Sequence, residues 1–415
     1  MTSLKLLIIG TTDNKGGAAS VGWNIGETLR YRGYSVKYIV GFKFSDSPHV
    51  HELKTPWLTR FLEHYLPYNF TGLYRHFSSF LLANDIDRGA REEILNHPWY
   101  KEADIVHCQN LHGSYFKLDT LVRMSKEKKV FWTLHDMWAI SGNCVYTDDP
   151  TVWKSGARAK VSIMEYPPML WNNAKYLWSK KKQIYQNSPS LSVIVPSRWL
   201  GDKVKESILK DKNLSVIYNG INSEVFKPGD KAKLRLKYNI QRDKRIVTFV
   251  AQGGGYDPRK GWNYIEKLAK AYENDPNILF MCIGGAKKGQ IGNILYVPNI
   301  SDKKILAEYY GLSDVFLFTS LAENCPLVVL ESMSCGLPVI SFDVGGVPEL
   351  VEHKVNGYIA KYKDGIDLSS GLNWILSLPI TELNKISNSN RAEVVSKYSI
   401  DKMVDVYENL FKNSI

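Results

Sequence analysis

The chain lacks any long apolar run. No stretch of its 415 residues approaches the roughly 18 apolar residues of a membrane-spanning helix. The apolar run Leu4–Ile9 is too short for the core of a signal peptide, lacks a cleavage pattern, and runs into Thr-Thr-Asp-Asn-Lys-Gly-Gly. Cysteine is scarce: five residues, at positions 108, 144, 282, 325 and 335, with no C-x-x-C pair. That number and spacing argue against a disulfide framework or a zinc site, and for buried free thiols in a reducing compartment. Zinc-finger, RNP and helix-turn-helix patterns are missing, so nucleic acid is not an expected partner. The dinucleotide fingerprint G-x-G-x-x-G is missing too. No Asp-x-Asp follows a strand; Asp85-Ile86-Asp87 follows an apparently helical segment and reads as a surface turn. Short-period repeats and low-complexity segments are also missing. The expectation is a cytoplasmic protein without a metal site or cofactor.

What is present is an ordinary globular composition, 44% hydrophobic and 23% charged, in a chain longer than one core usually holds. Two domains are expected. The net charge of +11 is uneven: the segment 154–213 carries twelve Lys and Arg against four Asp and Glu. A solvated basic face, an anionic lipid surface and a phosphorylated substrate each fit that excess.

The apolar pattern starts as strand, loop, helix, strand. Leu4–Ile9 reads as a buried strand, Gly10–Ala19 as a glycine-containing loop, Ser20–Arg32 as a helix and Ser35–Val40 as the next strand. Ile105–His107, Val130–Leu134, Ser192–Pro196 and Ser215–Tyr218 read as further strands. Beyond Phe226-Lys227-Pro228 the composition turns polar, as at a hinge, and the pattern restarts. Strands are expected at Arg245–Ala251, Leu279–Ile283, Val315–Phe318 and Val339–Phe342, with a helix over Gly261–Glu273. The expected fold is α/β, with two Rossmann-like domains facing a central cleft. Their expected bounds are 1–220 and 221–398, and a terminal helix from about 399 to 415 is expected to pack back on the first.

The most informative string is Glu323-Asn324-Cys325-Pro326-Leu327-Val328-Val329-Leu330-Glu331, running on to Gly336 and Pro338. Pro326 suits the first turn of a helix, and Gly336 and Pro338 close it. Two carboxylates then flank a helix start whose free N–H groups can cradle a diphosphate. One carboxylate suits sugar hydroxyls and the other ribose hydroxyls. Gly345-Gly346 and Glu349 follow the strand Val339–Phe342; the glycines can offer N–H groups to phosphate, and Glu349 reads as a brace for the next helix.

With Gly16-Gly17, the string His107-Cys108-Gln109-Asn110-Leu111-His112-Gly113, Thr133-Leu134-His135-Asp136-Met137-Trp138, Val195-Pro196-Ser197-Arg198-Trp199, Asn219-Gly220 and Asp257-Pro258-Arg259-Lys260-Gly261, this string resembles the retaining glycosyltransferases of family 4. Those enzymes adopt the GT-B architecture. The Leu-His-Asp-Met-Trp string is similar to the subgroup that builds capsular and exopolysaccharides, the colanic-acid type. The resemblance implies a nucleoside-diphosphate-sugar donor, used as substrate and not as cofactor, and a glycan acceptor, lipid-linked in this subgroup. It implies donor binding by Gly16, Gly17, Arg259, Lys260, Glu323, Asn324, Cys325, Pro326, Leu327 and Glu331. It implies catalytic roles for His135, Glu323 and Lys260, without a metal. Relatives often carry an arginine five positions before the lysine, where this chain has Gly255, so whether Arg259 or Lys260 makes the main phosphate contact stays open.

Each of these residues also has a plainer reading. Gly16-Gly17 fit an ordinary turn, Asp136 a helix cap beside a packed His135, and Arg259-Lys260 a surface pair. His107, Asn110 and His112 could line the acceptor side or be structural. Trp57 to Phe80 holds eight aromatics in 24 residues, with Trp57, Leu58, Phe61, Leu62, Tyr65 and Leu66 on one helical face. Packing on the first domain and a lip against a bilayer fit equally well. In the second case Lys180-Lys181-Lys182 would add weak attraction to anionic head groups at the inner face of the cytoplasmic membrane. Two rival functions are a nucleotide-sugar epimerase on a similar fold and a catalytically silent binding subunit.

Overall fold

The computed structural model describes residues 4–54, 84–157, 171–251 and 257–415. The aromatic stretch from Trp57 and the glycines 253–255 lie outside them. The chain divides into two compact units, Met1–Tyr218 with Val404–Ile415, and Asn219–Met403.

In the first unit the described strands are β1 (Lys5–Thr12), β2 (Ser35–Phe42), β3 (Val50–Glu52), β4 (Ile105–Cys108), β5 (Lys129–Thr133), β6 (Leu191–Val195) and β7 (Asn213–Val216). They pair in parallel in the order β3-β2-β1-β4-β5-β6-β7. The central strand β4 is buried at all four positions, as expected of a parallel strand covered on both faces, whereas the edge strand β7 has none buried. The order reverses between β1 and β4, a topological switch point.

The first helix runs over Gly17–Tyr31 and buries Val21, Gly22, Ile25, Gly26 and Leu29, an i, i+4 stripe on the sheet. It begins three residues before the expected Ser20. Gly16 is therefore its N-cap, still in the loop as expected, and Gly17 is its first residue instead of a loop position. Helix Ile400–Lys412 buries Val404, Tyr407 and Phe411. Arg32 bonds Asp405 at 2.9 Å and Glu408 at 2.7 Å, and Tyr34 donates to Glu408 at 2.6 Å. Lys412 foremost, with Tyr34 and Arg32, holds the Glu408 carboxyl down at about 2 against the effect of burial.

The second unit's described strands are β8 (Arg245–Val250), β9 (Ile278–Gly285), β10 (Gly289–Ile291), β11 (Ile294–Pro298), β12 (Val315–Phe318), β13 (Val339–Phe342) and β14 (Gly357–Ala360). Their order is β10-β11-β9-β8-β12-β13-β14, parallel except for the antiparallel edge pair β10–β11. Here the switch point lies between β8 and β12. Both β12 and β13 are buried throughout.

Candidate active site

In the second unit the loops after β8, β12 and β13 are stitched together at the switch point. After β8 comes a single helical turn, Pro258–Lys260, capped by the Asp257 carboxylate on the Arg259 N–H at 3.0 Å. Lys260 ends this turn and does not itself open the following helix. That helix starts at Trp262, with Gly261 as its cap in the left-handed region at φ 68°. A Cβ on Gly261 would lie 2.0 Å from the Thr319 carbonyl oxygen, so only glycine fits. Thr319 Oγ1 donates to the Lys260 carbonyl at 2.9 Å, and the Leu321 N–H to the Arg259 carbonyl at 2.7 Å. The turn after β8 is thereby fixed to the loop after β12.

The same loop is held from the other side. Gly345, at φ 57°, sits so close that a Cβ would meet the Glu323 carbonyl at 1.8 Å. Gly346 donates to the Asn324 carbonyl at 2.9 Å, and Asn219 Nδ2 to the Cys325 carbonyl at 2.8 Å. Against this frame Lys260 Nζ meets Glu323 Oε1 at 2.6 Å. Arg259 is instead forked onto Asp257, at 3.1 and 2.9 Å. Of the two cations, Lys260 is the one that reaches the double-glutamate string.

The helix after Glu323 runs over Leu327–Ser334. Pro326 is its N-cap with extended backbone, one place earlier than the first-turn role read from the sequence. Asn324, Cys325 and Pro326 are buried, and Leu327 is half-buried. Burial pushes the Cys325 thiol up to about 12, so its side chain is neutral packing. Glu331 is 7% exposed and receives the Tyr310 hydroxyl at 3.4 Å. Burial pushes its carboxyl up to about 7, against partial relief from Lys303 and Tyr310.

In the first unit the candidate residues collect at the carboxyl ends of β1, β4 and β5. Gly16 and Gly17 are exposed, with open space where a Cβ would stand. His135 follows β5, and its Nε2 lies 2.7 Å from Gln109 Oε1. Burial pushes His135 down to about 4, with the neighbouring His112 adding to the shift and Asp136 opposing it. Asp136 does cap a turn, accepting the Trp138 N–H at 2.8 Å, and it also pairs with His112 Nε2 at 3.1 Å. Burial works against that pair, but the two partners outweigh it, raising His112 and lowering Asp136. His107 is fully buried, and burial drives it down to about 3.

Two sequence expectations are corrected here. Asp85 is 8% exposed and Ile86 0%, so Asp85-Ile86-Asp87 is a turn but not a surface one. Burial raises the Asp85 carboxyl. Lys181 belongs to no basic surface cluster: it is 0% exposed and donates to the Trp138 carbonyl at 2.7 Å and to the Ser141 carbonyl at 3.2 Å. Its Nζ lies 3.5 Å from the centre of the Trp138 ring, and burial pulls its pKa down to about 7. Three consecutive lysines look alike in sequence, and only the helical phase of Ala174–Gln186 distinguishes the inward one. Gln109, Thr319 and Asn219 were not singled out as site residues. For Gln109 a signal existed: it stands two residues after His107, on the same face of an extended chain. Among the described residues no group of three His, Cys, Asp or Glu could hold a metal ion.

Two parallel-sheet units, each with polar side chains gathered at its switch point, define a GT-B glycosyltransferase. The model of the Glycosyltransferase Family 4 domain matches residues 15–225, and that of glycosyl transferases group 1 matches 230–393. The chain belongs to this family of glycosyltransferases. It is 23% identical over 413 residues to WcaC of Escherichia coli K12, which carries the name of a colanic acid biosynthesis glycosyl transferase; the match covers 95% of this chain and 97% of that one. It is 30% identical over 226 residues to the Escherichia coli UDP-Gal:alpha-D-GlcNAc-diphosphoundecaprenol alpha-1,3-galactosyltransferase, covering 50% of this chain and 56% of that one. Among solved structures, Anabaena HepE in complex with UDP-glucose superposes with a TM-score of 0.64 at 16% identity, covering 98% of this chain and 99% of that one.

Proposed function

We propose that the protein is a retaining glycosyltransferase that moves a sugar from a nucleoside-diphosphate-sugar to a lipid-linked glycan acceptor in surface polysaccharide biosynthesis. The observation that carries the reading is the Lys260–Glu323 contact at the switch point, beside the start of the Leu327–Ser334 helix and one helix length from buried Glu331. Lys260 and the first N–H groups of that helix suit the charge of a departing diphosphate. Glu323 suits the positive charge that develops on the sugar, and Glu331 the ribose hydroxyls. His135 serves the acceptor side.

In the reaction, the bond from the anomeric carbon to the diphosphate oxygen breaks, and its electron pair leaves with the phosphate. The acceptor oxygen bonds to the same face of that carbon, and its proton passes to the departing phosphate. Positioning and charge stabilisation supply the rate. The names of WcaC and of the galactosyltransferase favour a polysaccharide product and a lipid-linked acceptor. No helix among the described residues is long and apolar enough to cross a membrane. A lipid-linked acceptor would bring the protein to the lipid surface, and the reading includes peripheral association there.

The test is a screen of nucleoside-diphosphate-sugars by thermal shift and donor hydrolysis, then transfer to a lipid-linked acceptor with NMR of the new linkage. A retained anomeric configuration is expected. Conversion of donor to an epimer without acceptor, or an inverted linkage, would overturn the proposal.

A further inference from the structure

The polar contacts behind His135 form one chain through Gln109, His107, Thr133 and Tyr407. Gln109 is 3% exposed, and its amide offers one acceptor and two donors. Its Oε1 faces His135 Nε2 at 2.7 Å, which calls for a proton on that ring nitrogen. Its Nε2 lies 3.1 Å from His107 Nε2 and 3.4 Å from His107 Nδ1, so the amide N–H rests against the ring and not along one lone pair. His107 Nε2 also shares a hydrogen bond of 2.8 Å with Thr133 Oγ1. Thr133 Oγ1 in turn lies 3.0 Å from the Tyr407 hydroxyl on the terminal helix. Reversing the Gln109 amide would set its donors against the protonated His135 Nε2 and its oxygen against the electron-rich His107 ring.

The Gln109 side chain has little room to do so. A Cβ on Gly22, in the first helix, would stand 3.0 Å from Gln109 Cγ and 3.1 Å from its amide carbon. The Gln109 backbone is held by its N–H on the Ile9 carbonyl and by Trp132 Nε1 on its own carbonyl, both at 2.8 Å. Behind it, the His107 ring packs on Tyr407 at 5.3 Å and on Phe411 at 5.4 Å between ring centres.

We propose that Gln109 is a positioning residue that keeps the proton of His135 on Nε2 and holds the ring towards the acceptor side, with the His107 ring behind it and the first helix beside it setting the sense of the Gln109 amide. The catalytic relevance of this device rests on the reading of His135 above; the device itself does not. The titratable groups that act on His135 include Asp136 and its partner His112, and His135 acts in turn on the buried His107.

The experiment is histidine 15N NMR of the full chain between pH 4 and 8, with His135 assigned through His135→Gln, alongside transfer kinetics. In Gln109→Leu, the His135 signals should leave the Nε2–H position for a mixture of tautomers. The kcat should fall about 10- to 100-fold, below the roughly 10²–10⁴-fold of a positioned acid–base group itself, with donor KM nearly unchanged. Gln109→Glu keeps an acceptor on His135 Nε2 and adds charge. It should retain the Nε2–H tautomer, raise the pH at which His135 titrates and move the acid limb of the rate profile with it. That variant decides the matter if Gln109→Leu does not fold. An unmoved His135 tautomer in Gln109→Leu, or an unmoved titration in Gln109→Glu, would overturn the proposal. If the spectra change as expected while His135→Ala transfers sugar at the wild-type rate, the positioning stands and the role assigned to His135 falls.

Discussion

Lys260 and Glu323 stand 63 positions apart in sequence and 2.6 Å apart in space, joined ammonium to carboxylate where the loops after β8 and β12 meet. The side chains are 31% and 15% exposed, so water reaches the pair and screens it in part, and its worth for stability is on the order of 1 kcal/mol. The frame around it is far more constrained than the pair itself. Gly261 and Gly345 both adopt left-handed backbone to let carbonyl oxygens of the β12 loop approach. Well-braced backbone around an ion pair of little structural worth is what a binding site needs.

Substituting either partner should therefore change kinetics and leave the fold intact. Glu323→Gln is expected to lower kcat chiefly, because the carboxylate acts most where positive charge develops on the sugar. Lys260→Met should lower kcat and raise donor KM together, each loss corresponding to about 1.5–3 kcal/mol for a hydrogen bond to a charged group. Melting temperatures should stay near that of the wild type. Unchanged kinetics in both folded variants would remove the donor-site assignment.

With Lys260 and the helix N–H groups supplying positive charge, transfer should survive exhaustive chelation. The check is the initial rate after dialysis against a strong chelator, with and without added magnesium or manganese. A rate lost on chelation and restored by the ion would show that these groups do not suffice.

Much of the fold is legible because buried parallel strands are short unbroken apolar runs. Val315–Phe318 and Val339–Phe342 occupy the positions expected of them. What was missed is short and lies towards sheet edges, such as β3 and β10, where little apolar area marks a strand. Gly17 hid the start of the first helix because glycine is a poor helix former, and its place is set by the turn before it. The site is legible residue by residue and not as contacts. Lys260 and Glu323 each stood out, but their meeting depends on the order of strands β8 and β12 in the sheet. No local pattern encodes that order.

The three adjacent lysines on the Ala174–Gln186 helix should behave differently. Lys181→Ala removes two buried hydrogen bonds and a ring contact beside buried Asp85, and should cost about 3 kcal/mol, as for other broken buried charge clusters. Lys180, about a third exposed and paired with Asp87, and exposed Lys182 should cost under about 1 kcal/mol each when changed to alanine. Urea unfolding of the three variants measures this. Equal effects would mean that Lys181 is not buried as described.

The outward face of the same helix carries Lys175, Tyr176 and Lys182, with exposed Trp171 just before it. Weak binding to vesicles rich in phosphatidylglycerol is expected, released by salt because charges at a surface are screened over about 8 Å at physiological ionic strength. Flotation at low and high salt tests this, with Lys175→Glu and Lys182→Glu as variants that should lower the bound fraction. No flotation at low salt would leave the peripheral reading without support.

Glu331 should tie donor binding and stability to pH in opposite senses. A carboxylate accepts ribose hydroxyls better than its protonated form, so donor affinity should rise as pH passes through about 7, where burial places this group. Stability should move the other way. The folded pKa is raised above the unfolded value of 4.5, so the folded state holds the proton more tightly between the two. The stabilising contribution is full below pH 4.5 and is lost as pH rises through about 7. Glu331→Gln fixes the group in a neutral state of similar shape. It should flatten both trends: donor KM should stay high at every pH, by about 1–3 kcal/mol relative to the wild type at pH 8, and the decline in melting temperature between pH 5 and 8 should shrink. Donor titrations and thermal unfolding across that range measure the two together. If donor affinity is pH-independent in the wild type while the stability trend is present, Glu331 is a buried acid that braces Tyr310 and does not touch the donor.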